Sequence, residues 1–302
     1  MRAVNHNSFI QFLFYGNFFY GLCAVALSVE AMLQQHVPLN DWYYFLAVFC
    51  CTVVYYSHAY ITERPVNSRN QRTLWYNHSK KLVLTSQVTL TLIVICILFY
   101  FVQQHWRDIL QISWKEILLL VIFPMLGLLY YGVSGTRYSL RKIGWLKPFV
   151  IGFAWAGLVT FYPVIYHNLS HHLPYEFTVI GGLLFLKNFM FISVLCIMFD
   201  IKDYASDAGL HLNTFVVKVG LRRTIFFIII PLCIVGLGTF VVYGASRDFH
   251  PVKIILNVLP FVLLLITAYS LHVRRSLLYY LIIVDGLMLV KGICGSIAMV
   301  YF

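Results

Sequence analysis

Nine apolar stretches near the length of a bilayer core follow one another along the chain, at about residues 9–33, 42–60, 82–103, 117–133, 148–166, 177–199, 224–244, 254–270 and 276–301. A helix rises about 1.5 Å per residue, so about 20 apolar residues cross the roughly 30 Å of hydrocarbon in a membrane. Backbone in that medium must satisfy its own hydrogen bonds, which leaves helices or closed barrels. The period-two alternation of barrel strands is absent. The sequence therefore predicts an all-α, polytopic integral membrane protein, one transmembrane domain of about nine helices over residues 1–302. Pro124 and Pro260 interrupt the fourth and eighth stretches, so eight spans are the alternative. Composition agrees, since 61% apolar and 11% charged residues leave too little polar surface to cover a soluble globule.

Basic residues orient such a bundle. With a cytoplasmic N-terminus, the inner segments would hold 16 of the 22 Lys and Arg residues, among them Arg64, Arg69, Arg72, Lys80, Lys81, Arg137, Arg141, Lys142 and Lys147. The outer loops would hold Arg107, Lys115, Arg247 and Lys253, with Lys187 and Lys291 inside spans. The expected topology is N-terminus in the cytoplasm and C-terminus on the opposite side. The net charge of +11 is thus spread over juxtamembrane loops. That pattern fits orientation and anionic lipid, and no nucleic-acid partner is expected. No feature of the sequence points to a protein partner. The N-terminal stretch is too long for a signal-peptide core and reads as a retained first span. All seven cysteines fall in apolar stretches without a metal-like spacing and read as small core hydrophobes.

Against this acid-poor background, Asp200, Asp203 and Asp207 stand together, in a chain with only seven Asp and four Glu. Offsets of three and seven place them within about 60° on one helical face. Like charges so close repel unless a cation lies among them, and a hard ion such as Mg²⁺ takes one or two carboxylates, some waters and substrate phosphate oxygens. The alternative is a solvated helix start, where Asp caps and complements the dipole.

Phe199-Asp200-Ile201-Lys202-Asp203-Tyr204-Ala205-Ser206-Asp207-Ala208-Gly209, followed by Thr214 and Val219-Gly220, resembles the second aspartate motif of the UbiA superfamily of intramembrane prenyltransferases. In that family it lies between the sixth and seventh of nine helices, on the cytoplasmic side. Tyr138-Ser139-Leu140-Arg141-Lys142 resembles the family's diphosphate-holding segment. The family's first motif, N-x-x-x-D-x-x-x-D, has no counterpart after the second span, where Glu63 is the sole acid between Cys51 and Lys81. The resemblance implies Mg²⁺ held by Asp200, Asp203 and Asp207, and a prenyl diphosphate contacted by Tyr138, Arg141 and Lys142. Arg69, Arg72, Lys80 and Lys81 would neutralise the diphosphate where the first motif is lacking. Ser57, His58, Glu63, Asn67 and Asn70 are candidate substitute ligands. Tyr55, Tyr56, Tyr60, Tyr130, Tyr131 and Tyr138 could wall an allylic cation or form an interfacial belt. The implied reaction transfers a polyprenyl group to a lipophilic acceptor.

Lys187, Asp285 and Lys291 are expected inside spans, where an ionisable group points to function by default. A Lys187–Asp285 ion pair between helices is the structural alternative. His167, His171 and His172 read as a solvated loop. Two further functional readings stay open: a UbiA-like prenyl-lipid-binding protein that has lost turnover, and a small-solute transporter using the intramembrane charges.

Overall fold

The computed structural model describes residues 8–62, 71–131, 140, 143–209, 214–246, 249–273 and 275–302. Among the described residues the chain is helical, with no strand. The helices are α1 Ser8–Tyr15, α2 Phe18–Gln34, α3 Trp42–Thr62, α4 Gln71–His78, α5 Lys80–Leu110, α6 Trp114–Tyr131, α7 Lys147–Thr160, α8 Tyr162–Ser170, α9 Val179–Gly209, α10 Phe215–Val219, α11 Leu221–Thr224, α12 Ile230–Ser246, α13 Pro251–Ser270, α14 Leu277–Tyr279 and α15 Gly286–Tyr301.

Among the described residues, six helical stretches are long and apolar enough to cross a membrane: Lys80–Leu110, Lys147–Ser170, Val179–Tyr204, Leu221–Val242, Pro251–Ser270 and Leu277–Tyr301. A seventh is the bent pair α1 and α2, set at 60° to each other. Asn17 makes that bend with a left-handed φ of 66°, which Asn tolerates better than most side chains. As far as they are described, the stretches at 42–60 and 117–133 form helix in α3 and α6. Both prolines are carried within continuous helices, Pro124 in α6 and Pro260 in α13.

The described chain forms two compact units. The first is built from described parts of Met1–Ala26 and Asn40–Leu110. Here α3 packs along α5, and α4 rests on α1, α3 and α5. Leu84, Val88, Leu92, Ile95, Leu98, Phe99 and Val102 of α5 are exposed. A soluble surface rarely tolerates such a stripe, whereas lipid tails match it. The regular backbone of α5 breaks at His105, whose φ of −119° and ψ of 25° leave the helical region. That break closely follows the end of the apolar stretch at residue 103, where the hydrophobic reason to remain straight stops.

The second unit comprises Leu27–Leu39 and Gln111–Phe302, as far as they are described. In it α9 packs between α7 and α12, α6 lies on α7, and α13 pairs with α15. Phe123, Phe161 and Ile165 form a core with Phe153, Tyr162 and Phe185 around them. Gly157 makes room for it, because a Cβ there would sit 2.1 Å from the Phe123 ring. Two five-residue π-helical segments, Ile225–Ile229 and Tyr280–Val284, shift the side-chain register of the helices that contain them.

Candidate functional site

The aspartate motif folds at the C-terminal end of α9, not at a helix start. N-capping is therefore excluded as its explanation, and Asp207 lies in the last turn, where the helix dipole disfavours a carboxylate. Asp200 is fully buried and accepts a 2.9 Å ion-pair contact from Lys147 Nζ. Lys147 is the first residue of α7, so α7 delivers a cation to the last turns of α9. Asp203, one turn on, is 40% exposed and lies 3.1 Å from Lys202 Nζ. Asp207 lies in α9, and its side chain falls outside the described residues. The Phe199 ring packs against Tyr280 at 5.6 Å.

The remainder of the motif has a local structural logic. Thr214 caps α10 by accepting from the Val217 amide. Gly220 then separates α10 from α11 with φ 82° and ψ 160°, a region essentially restricted to glycine. Open space surrounds the position where its Cβ would be, so conformation, not packing, is what requires glycine.

A magnesium ion makes modest demands of protein, namely one or two carboxylates completed by water and phosphate. Asp200 and Asp203 are two carboxylates one turn apart, of which Asp200 is fully buried with one oxygen engaged by Lys147 and Asp203 is partly exposed. No group of three or more His, Cys, Asp or Glu gathers as a metal site among the described residues.

The other residues expected at the site, as diphosphate contacts or as substitute ligands, are placed diversely. Arg69, Tyr138, Arg141, Lys142, Glu63, Asn67 and Asn70 lie outside the described residues. Lys80 and Lys81 are exposed at the start of α5, and His58 is exposed on α3. Arg72, only 4% exposed, turns into the first unit. Its guanidinium donates to the Tyr15 carbonyl at 3.2 and 3.1 Å and to the Tyr60 hydroxyl at 3.1 Å, and it also donates to Asn17 Oδ1. It lies 4.2 Å from the centre of the Tyr60 ring, which stacks on Tyr76. Ser57 belongs to the same cluster, accepting from Asn17 Nδ2 at 3.0 Å and donating to the Gly16 carbonyl at 3.2 Å. Burial pushes the Tyr76 hydroxyl pKa up, against the opposing pull of Arg72.

Among the tyrosines weighed as a cation wall, Tyr60 has Arg72 over its ring, and Tyr56 stacks on Tyr20 at 4.8 Å. Tyr55 is exposed and Tyr130 is buried; the side chains of Tyr131 and Tyr138 lie outside the described residues. His167 is buried and stacks on the His171 ring at 4.2 Å, so it lies within the packed end of α8 and not in a solvated loop.

Lys187 and Lys291, expected inside spans, join Glu30, Gln34 and Asn257 in one buried network. Lys187 Nζ donates to Asn257 Oδ1 at 2.8 Å and approaches Glu30 Oε1 at 3.4 Å and Gln34 Oε1 at 3.5 Å. Lys291 Nζ donates to Glu30 Oε2 at 2.5 Å. Gln34 Nε2 is 2.9 Å from both Glu30 Oε1 and Asn257 Oδ1. The carboxylate of Lys187 is therefore Glu30, and the expected Lys187–Asp285 pair does not form. Asp285 precedes Lys291 by six residues, about 9 Å along the helix, and lies toward the aspartate-motif end. It is itself buried. Glu30, the missed partner, carried a legible signal: a lone acid four residues before Gln34 in an apolar run.

Comparison with protein-family models, with curated proteins and with solved structures returns no match for this chain.

Proposed function

We propose that the chain is a UbiA-like membrane enzyme that transfers a polyprenyl group from a prenyl diphosphate to a lipophilic acceptor. In this reading nine helices span the bilayer, the N-terminus is cytoplasmic and the C-terminus lies on the opposite side. The observation that carries the reading is the placement of Asp200 and Asp203 one turn apart at the end of α9, followed by the Thr214 cap and the Gly220 break. Asp200 and Asp203 would hold Mg²⁺, which supplies charge stabilisation to a departing diphosphate. Lys147 fixes the buried Asp200 carboxylate in position. Asp203, being exposed, is the carboxylate open to a ligand.

The test is binding of farnesyl diphosphate to the purified full chain with and without Mg²⁺, for wild type and Asp203→Asn. Mg²⁺-dependent binding that is lost in the variant supports the donor site. Binding indifferent to both the ion and the substitution overturns it.

A second reading, a prenyl-lipid-binding protein without turnover, is favoured by one observation. Arg72, a cation that would offset the missing first motif, is hydrogen-bonded within its own unit. Donor binding without release of diphosphate to any lipid acceptor would select this reading.

A further inference from the structure

A second candidate site lies in the same unit, about 20 Å along α9 from Asp200. Glu30, Lys187 and Lys291 are all nearly or fully buried, and together they carry two ammonium groups against one carboxylate. Gln34 and Asn257 complete the hydrogen bonding of the group without changing its charge. A buried excess of one positive charge is costly in a medium with no water, and an anion placed against it would relieve that cost.

A cavity reaches this network. Its volume is about 30 Å³, and it is lined by Lys187 and Gln34 together with Ile180, Leu183, Leu184, Phe240, Phe249 and Met299. Lys187 and Gln34 are buried, whereas Ile180, Leu183, Phe249 and Met299 are half-exposed, so the polar pair lies at the base and an apolar rim at the mouth. The space corresponds to about two water molecules, room for a small anionic head group. Every other lining side chain is apolar, which suits a hydrocarbon tail leaving toward the bilayer.

We infer that this cavity binds the carboxylate of a single-chain lipophilic acid, with the Lys187 ammonium contacting the head group and the apolar rim contacting the first methylenes. The site is separate from the aspartate-motif end and does not depend on the proposed transfer reaction. Lys187 can turn one of its three N–H bonds to the ligand while keeping Asn257 and Glu30.

The experiment is photolabelling of the full chain in nanodiscs with a photoreactive dodecanoate, competed by dodecanoate or by its methyl ester. Saturable labelling of α9 and α15 peptides is expected, competed by the acid and not by the ester. Lys187→Met should lower it about tenfold, as loss of one charge-assisted hydrogen bond implies. Leu183→Trp, which fills the cavity without altering charge, should lower it comparably and decides the matter if Lys187→Met does not fold. Non-saturable labelling, equal competition by the ester, or labelling unchanged in Leu183→Trp would each overturn the inference.

Discussion

Lys291 Nζ and Glu30 Oε2 meet at 2.5 Å across 261 residues of sequence, joining the last helix to α2. The pair is buried on both sides, at 2% and 1% side-chain exposure, and Lys187 reaches the other oxygen of the same carboxylate. Removing the carboxylate strands two cations. Glu30→Gln is expected to lower stability by about 3–5 kcal/mol, the usual cost of breaking a buried ion pair on one side. The melting temperature in detergent checks this, and the triple variant Glu30→Gln, Lys187→Met, Lys291→Met should recover much of the loss.

Gly295 lies one turn beyond Lys291 and directly against Glu30. A Cβ at Gly295 would approach Glu30 Cγ and Oε1 to 2.5 Å. Two lysines hold that side chain, so it cannot simply move aside. Gly295→Ala should therefore be destabilising, because an overpacking cost of about 1–3 kcal/mol exceeds the roughly 0.5–1 kcal/mol gained by replacing a helical glycine. A rise in melting temperature would refute this.

The Gly220 backbone predicts a different kind of sensitivity. At φ 82° and ψ 160° any side chain is strained whatever space it finds, and Gly220→Ala should cost about 1–3 kcal/mol. Because the strain is local, hydrogen exchange should rise in α10 and α11 more than in α9.

Lys147→Met tests whether Asp200 can serve as a metal ligand. The substitution leaves a fully buried carboxylate without its ammonium, and a loss of about 3 kcal/mol is expected. If Asp200 then takes Mg²⁺ in place of the cation, added Mg²⁺ should raise the melting temperature of this variant more than that of wild type. Equal responses would detach Asp200 from the metal reading.

Tyr175, in the segment between α8 and α9, has its hydroxyl pKa pushed up to about 12 by burial and, secondarily, by the Glu116 carboxylate. A raised pKa means that the neutral phenol is favoured in the fold. The associated stability is complete below the ordinary tyrosine value of about 10 and is lost as pH rises from there toward about 12. Tyr175→Phe should flatten the decline in that alkaline window, measured by the pH dependence of the melting temperature.

The helices were legible because apolar length is a local property: the described residues of the apolar stretches are mostly helical, and the break at His105 falls just past the end of one stretch. Partners were not legible. Nothing in the neighbourhood of Lys187 in sequence names Glu30, which lies 157 residues away, so Asp285 was the nearer guess. Arg72 looks like a loop cation in the sequence because α4 is a single short helix with little apolar character. The one clue was Tyr76 at four residues' distance, which places both side chains on one face. The helical placing of Asp200 and Asp203 followed from their spacing, but the cation from Lys147 did not, since a residue at the start of a helix looks like an orientation signal.

The separation between Glu30 and its lysines also sets an order of events during synthesis. At about 5–20 residues per second, the 157 residues from Glu30 to Lys187 take roughly 8–30 s to emerge. Throughout that interval the first apolar helix has its carboxylate and neither ammonium. The Glu30 carboxylate therefore waits for α9 to bring its first ammonium, and the Lys291 contact closes only with α15.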